Sequence, residues 1–130
     1  MEKHLLLVFT RPVEGREDEF NAWYDGQHLR DVAGLPGIVS GQRYRFHEAS
    51  RNSSVSAPDL GYLAIYEVPA GQLETAKAAL AKTSAERRAA AAEGDGRPVR
   101  VPGSPAIAPE HISYWFTAIG EPVASEADSD

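Results

Sequence analysis

The 130-residue sequence predicts an α+β fold, a four-stranded antiparallel sheet with two helices on one face. Three observations carry that expectation. Four short apolar runs and two stretches of helical spacing follow one another in the order β-α-β-β-α-β. The length suits one domain, and 42% hydrophobic residues suffice for one small core. The strands carry apolar or aromatic residues on both alternations, so a sheet packed on helices still has a second apolar face to cover.

Each element has its own signature. His4 to Thr10 is a short apolar run with Val and Phe, bounded by "RPVEG", as a buried strand would be. From Arg16 to Val32, Phe20, Trp23, Tyr24, Gln27, His28 and Asp31 step by three and four residues along one side of a helix. Glu17, Asp18 and Glu19 favour the positive end of its dipole, and Gly34, Pro36 and Gly37 stop it. Ile38 to Glu48 alternates as a strand, with Tyr44 on one face and Arg43 on the other. Ser50 to Asp59 is polar and reads as a loop. Leu60 to Val68 is apolar nearly throughout, as a central strand would be.

Gln72 to Ala92 is Ala-rich and strongly helix-forming. Gly94 to Pro109 holds four prolines and three glycines and is expected to be a long loop. Ile112 to Ile119 supplies the last strand. Residues 1–121 are therefore expected to form one domain, and the acidic residues 122–130 a tail without fixed structure. This element order is the split βαβ, or ferredoxin-like, arrangement.

Composition excludes several functions. A net charge of -6, with basic residues clustered only at Arg43 to Arg45 and at Arg87 and Arg88, argues against a nucleic-acid surface. The absence of Cys removes disulfides, thiol nucleophiles and thiolate metal sites. The apolar run Leu5 to Phe9 is too short for a signal segment or a membrane span, so a cytoplasmic protein is expected. No GxGxxG, Walker or GxSxG pattern occurs, and His4, His47 and His111 lack metal-ligand spacing. Neither a metal nor a cofactor is expected.

Phe9 to Val32 and Leu35 to Tyr44 together carry P-x-x-G-x-E-x-E-F-x-x-W-Y, then H-x-x-D, then PG-(x)5-RY. In these motifs the chain resembles the dimeric α/β-barrel proteins, specifically the EthD-like branch, over about a third of its length. The resemblance implies a homodimer whose two sheets close a barrel. It also implies a mostly apolar pocket between sheet and helices in each protomer. Relatives include cofactor-free monooxygenases, polyketide cyclases, muconolactone isomerases, dehydratases and lyases acting on aromatic or hydrophobic compounds.

His28 is the leading catalytic candidate, because an imidazole titrates near neutral pH. Asp31, three residues on, is in reach to orient it, with Asp25 as a competing partner. Tyr24 shares the stripe with Phe20, His28 and Asp31. The alternative is a helix-end histidine that meets the dipole beside a solvated carboxylate. Arg43 is expected either to bind a phenolate or carboxylate or to pair with Asp25 or Asp31. Phe20, Trp23, Tyr62 and Trp115 are candidate substrate contacts, Trp23 with a larger share in packing.

The expected function is a cofactor-independent acid–base enzyme of lyase, isomerase or cyclase type. Its substrate would be a small aromatic or polycyclic compound of aromatic catabolism or secondary metabolism. A cofactor-free monooxygenase and a non-catalytic small-molecule-binding protein are the alternatives.

Overall fold

The computed structural model describes residues 2–47, 50, 58–94 and 96–126. Four strands, β1 (His4–Thr10), β2 (Ser40–Arg45), β3 (Tyr62–Val68) and β4 (Ile112–Thr117), form one antiparallel sheet in the order β2-β3-β1-β4. The first helix has three parts: α1 (Glu17–Trp23), a π-helical turn (Tyr24–His28) and α2 (Leu29–Ala33). The second, α3 (Leu73–Glu93), is a single α-helix. Element order and strand order together make this the ferredoxin-like α+β fold.

The core shows which face the helices cover. Leu6 of β1 and Ala64, Tyr66 and Val68 of β3 are buried in one cluster with Phe20, Tyr24 and Val32 of the first helix and Ala76 of the second. Both helices therefore lie on the same side of the sheet. Two glycines set the approach distances. Gly37 has φ +86°, and a Cβ there would come within 2.8 Å of the Ala76 backbone nitrogen. Gly41 lies under the Tyr66 ring, where a Cβ would meet Cδ1 at 2.8 Å. A side chain at either place would force apart the turn and α3, or β2 and its neighbour's ring.

Among the described residues, no helix covers the opposite face. Leu5, Leu7 and Phe9 of β1 align there with Leu63 and Ile65 of β3 and with Ile112, Tyr114 and Phe116 of β4. Tyr114 is 50% and Phe116 53% exposed, and their rings meet edge-on at 6.2 Å.

The strands and helices run close to their sequence-predicted bounds, with three differences. β2 is shorter than Ile38 to Glu48, because Ile38 N–H closes a turn onto Leu35 O at one end and the strand stops at Arg45 at the other; Glu48 lies outside the described residues. The π-helical turn was not foreseen. Gly94 to Pro109 is irregular, as expected, but packs inward: Val101, Ala106 and Ala108 are buried. Val13 N–H donates to Ala106 O at 2.7 Å and Ala108 N–H to Arg11 O at 3.0 Å. Most of the Ser50 to Asp59 loop and residues 127–130 of the tail lie outside the described residues. No helix among the described residues is long and apolar enough to cross a membrane.

Candidate functional site

A cavity of about 400 Å³ lies between the sheet and the helices. Its floor is Leu6, Val8 and Thr10 of β1 with Tyr66 of β3 and Ser113 and Trp115 of β4. Trp23, Tyr24, His28 and Val32 form one wall, and Leu80, Thr83, Ser84 and Arg87 of α3 form the opposite one. Gly103 and Ile107 of the long loop close it, with His111 at the side. The size falls within the ordinary range for small-molecule pockets.

Three arginines tie the loop down over the cavity, Arg87 and Arg16 from outside it and Arg100 from the loop itself. Arg87 Nη1 donates to Val101 O at 3.1 Å, Arg16 Nη1 to Pro105 O at 3.2 Å, and Arg100 Nη2 to Gly34 O at 3.2 Å. An isolated β-bridge between Pro12 and Ile107 completes the attachment.

The π-helical turn positions the histidine. Leu29 N–H reaches back five residues to Tyr24 O, which accommodates an extra residue between α1 and α2. His28 stacks on Trp23, ring centroids 4.4 Å apart, and meets Tyr24 edge-on at 4.8 Å. Its Nδ1 is buried without a hydrogen-bond partner. Burial, followed by the positive charges of Arg87 and Arg43, holds its pKa down to about 4, so the ring is neutral at physiological pH.

Tyr24 and Tyr66 stay protonated for a related reason. Burial raises both phenols, Tyr66 well above its usual range, although Arg43 draws each partly back. The two hydroxyls are near enough to influence one another, yet Tyr66 Oη makes no well-formed hydrogen bond. A neutral phenol beside a neutral imidazole is a pair that can donate to one substrate atom and accept from another.

The structure divides the sequence-predicted residues into four groups. Trp23, Tyr24, His28 and Trp115 come together at the cavity. Phe20 is wholly buried beneath them, its ring 5.6 Å from that of Tyr24. Arg43 and Tyr62 lie in a separate groove of about 380 Å³ on the far side of Tyr24. There Arg43 donates to Asp25 Oδ1 at 2.7 Å and Asn21 Oδ1 at 2.8 Å, and its guanidinium sits 4.4 Å from the Tyr24 ring centroid. Tyr62 donates to Glu17 and accepts from Asn21. Asp31 does not line the cavity and makes no hydrogen bond to His28.

Sequence reasoning did not single out Tyr66, Thr83, Ser84 or Arg87. Leu73, Ala76, Leu80, Thr83 and Arg87 step by three and four along α3, but the Ala-rich helix has almost no amphipathic bias, so the spacing did not set this stripe apart from others. Two polar residues sit where an apolar stripe would continue. Among the described residues, no group of three or more His, Asp or Glu converges as a metal site would require. No protein-family model matches the chain, and no curated protein or solved structure matches it significantly. The resemblance to EthD-like proteins therefore rests on the motifs alone.

Proposed function

We propose that the protein is a cofactor-independent acid–base enzyme of the EthD-like type. It moves a proton on a small aromatic or polycyclic compound of aromatic catabolism or secondary metabolism, in the cytoplasm. The observation that carries this reading is His28: a neutral imidazole with an unpaired buried nitrogen, set in the wall of an aromatic-lined cavity. The ring is in its proton-accepting form. Burial makes it a weaker base than a free imidazole, so its contribution rests on position, and a positioned base contributes roughly 10²–10⁴-fold in rate.

In the reaction His28 takes a proton from the substrate and becomes imidazolium. The electron pair passes into the aromatic or carbonyl system, where the Tyr24 hydroxyl donates to the developing oxyanion. The proton then returns to another carbon, which is isomerisation, or leaves with a hydroxyl as water, which is elimination. In a cyclisation the carbanion instead bonds to a carbonyl carbon of the same substrate and the proton goes to the resulting alkoxide. The bare sheet face belongs to the same reading: in a homodimer two such faces pack together and close a barrel.

Incubation with hydroxylated aromatic and polycyclic ketones in D₂O tests the reading. Deuterium wash-in or product formation that depends on the protein, lost at least ~100-fold in His28→Gln, is the expected result. Turnover undiminished in His28→Gln overturns it, and stoichiometric O₂ uptake would identify monooxygenase chemistry instead. A specific observation favours one other reading, a non-catalytic binding protein: among the described residues no Asp or Glu lines the cavity to assist His28. That reading predicts binding without wash-in or conversion for any compound.

A further inference from the structure

The cavity holds a guanidinium and no carboxylate among its described lining residues. Arg87 projects from α3 into its wall, and no Asp or Glu among the described residues lines the same space. The guanidinium uses one N–H on Val101 O at 3.1 Å and one on Ser84 Oγ at 3.4 Å. Neither partner carries charge, and a guanidinium has five N–H donors, so the rest of the fork is left for something else. Trp23 Nε1, a donor only, and Tyr66 Oη are buried at the same cavity without partners. A buried donor without an acceptor is costly unless a ligand or ordered water meets it.

We propose that Arg87 is the anion-recognition residue of this cavity and that the ligand is an aromatic carboxylate. Three features point to that class. The fork of a guanidinium matches the two oxygens of a carboxylate better than a single hydroxyl. The facing walls are the rings of Trp23, Tyr24 and Trp115, which offer flat apolar area for an aromatic body. The net charge of -6 gives the molecule as a whole no attraction for anions, so selectivity has to come from a local cation. Arg43 is not that cation, because Asp25 and Asn21 already hold it outside the cavity. The inference rests on the cavity being the ligand site of the proposed function, and it adds the substrate's charge and the residue that reads it.

The test compares 1-naphthoate with its neutral counterpart 1-naphthamide by calorimetry. Quenching of intrinsic fluorescence is the second readout, since the chain has two tryptophans and both line the cavity. Wild type is expected to bind naphthoate at least ~10-fold more tightly than naphthamide, as charge-assisted hydrogen bonds imply. Arg87→Gln is expected to lose that preference while keeping its affinity for naphthamide. Equal affinities in wild type, a comparison that needs no variant, overturn the role of Arg87 but leave the cavity a ligand site. A preference that survives in folded Arg87→Gln does the same. Binding of neither probe overturns both the cavity reading and this inference.

Discussion

His28 is where burial decides chemistry. An imidazole in water holds a proton below about pH 6.5. Here desolvation and two neighbouring guanidinium groups keep the ring neutral down to about pH 4. The unfolded chain therefore takes up a proton between pH 6.5 and 4 that the folded chain refuses, so the folded state loses stability as pH falls through that window. Wild type is expected to lose about 2 kcal/mol more than His28→Gln between pH 7 and pH 5, read from urea unfolding at each pH. A pH dependence identical in the two proteins would mean that the ring is not sealed as described.

Arg43 is the contrasting case at the same scale. Its side chain is 12% exposed, bridges β2 to the first helix through Asp25 and Asn21, and lies over the Tyr24 ring. Both readings open in the sequence used the same guanidinium; the structure shows it engaged with Asp25. Arg43→Ala is expected to cost about 2 kcal/mol in urea unfolding, from lost charge-assisted hydrogen bonds and cation–π contact. A loss below about 0.5 kcal/mol would place it with ordinary surface ion pairs.

At the scale of elements, the π-helical turn and the glycine contacts matter most. Periodicity put Tyr24, His28 and Asp31 on one α-helical stripe, but the chain inserts a π turn across Tyr24–His28. Tyr24 and His28 stay in contact, whereas Asp31, beyond the turn, does not reach the imidazole. Five residues are too few for spacing alone to separate the two helix types. Gly37 shows how tightly the turn after the first helix meets α3. Gly37→Ala is expected to cost about 2–4 kcal/mol, combining a strained positive φ with overlap onto the Ala76 backbone. Thermal unfolding at an unchanged Tm would contradict that close approach. The long loop is also an element decided by packing: its prolines and glycines mark irregular backbone, while Val101, Ala106 and Ala108 make it part of the core.

At the scale of the whole molecule, one sheet face is packed and the other is open. The alternation of both central strands anticipated this, since Leu5, Leu7 and Phe9 oppose Leu6 and Val8 across β1. Under the proposed homodimer, wild type is expected to sediment as a dimer at micromolar concentration. The double variant Tyr114→Asp/Phe116→Asp should sediment as a monomer with its far-UV circular dichroism unchanged. A wild type that stays monomeric across the concentration range refutes sheet-on-sheet pairing.

Element order, the antiparallel ferredoxin-like sheet and the placing of aromatic residues and a histidine on the first helix were legible from the residues alone. Those features depend on local periodicity, turn residues and apolar alternation, all of which are written in neighbouring positions. Which charges surround His28 depends instead on how the elements dock. Arg87 lies 59 positions along the chain, on a helix whose Ala-rich sequence shows almost no amphipathic bias. Which stripe of such a helix turns inward is settled by packing against Gly37, Tyr66 and the folded-in loop. The nearby Asp31 was visible in the sequence, but it does not line the cavity. Proximity along a helix is a local property; the cation facing the imidazole is set by how distant elements dock.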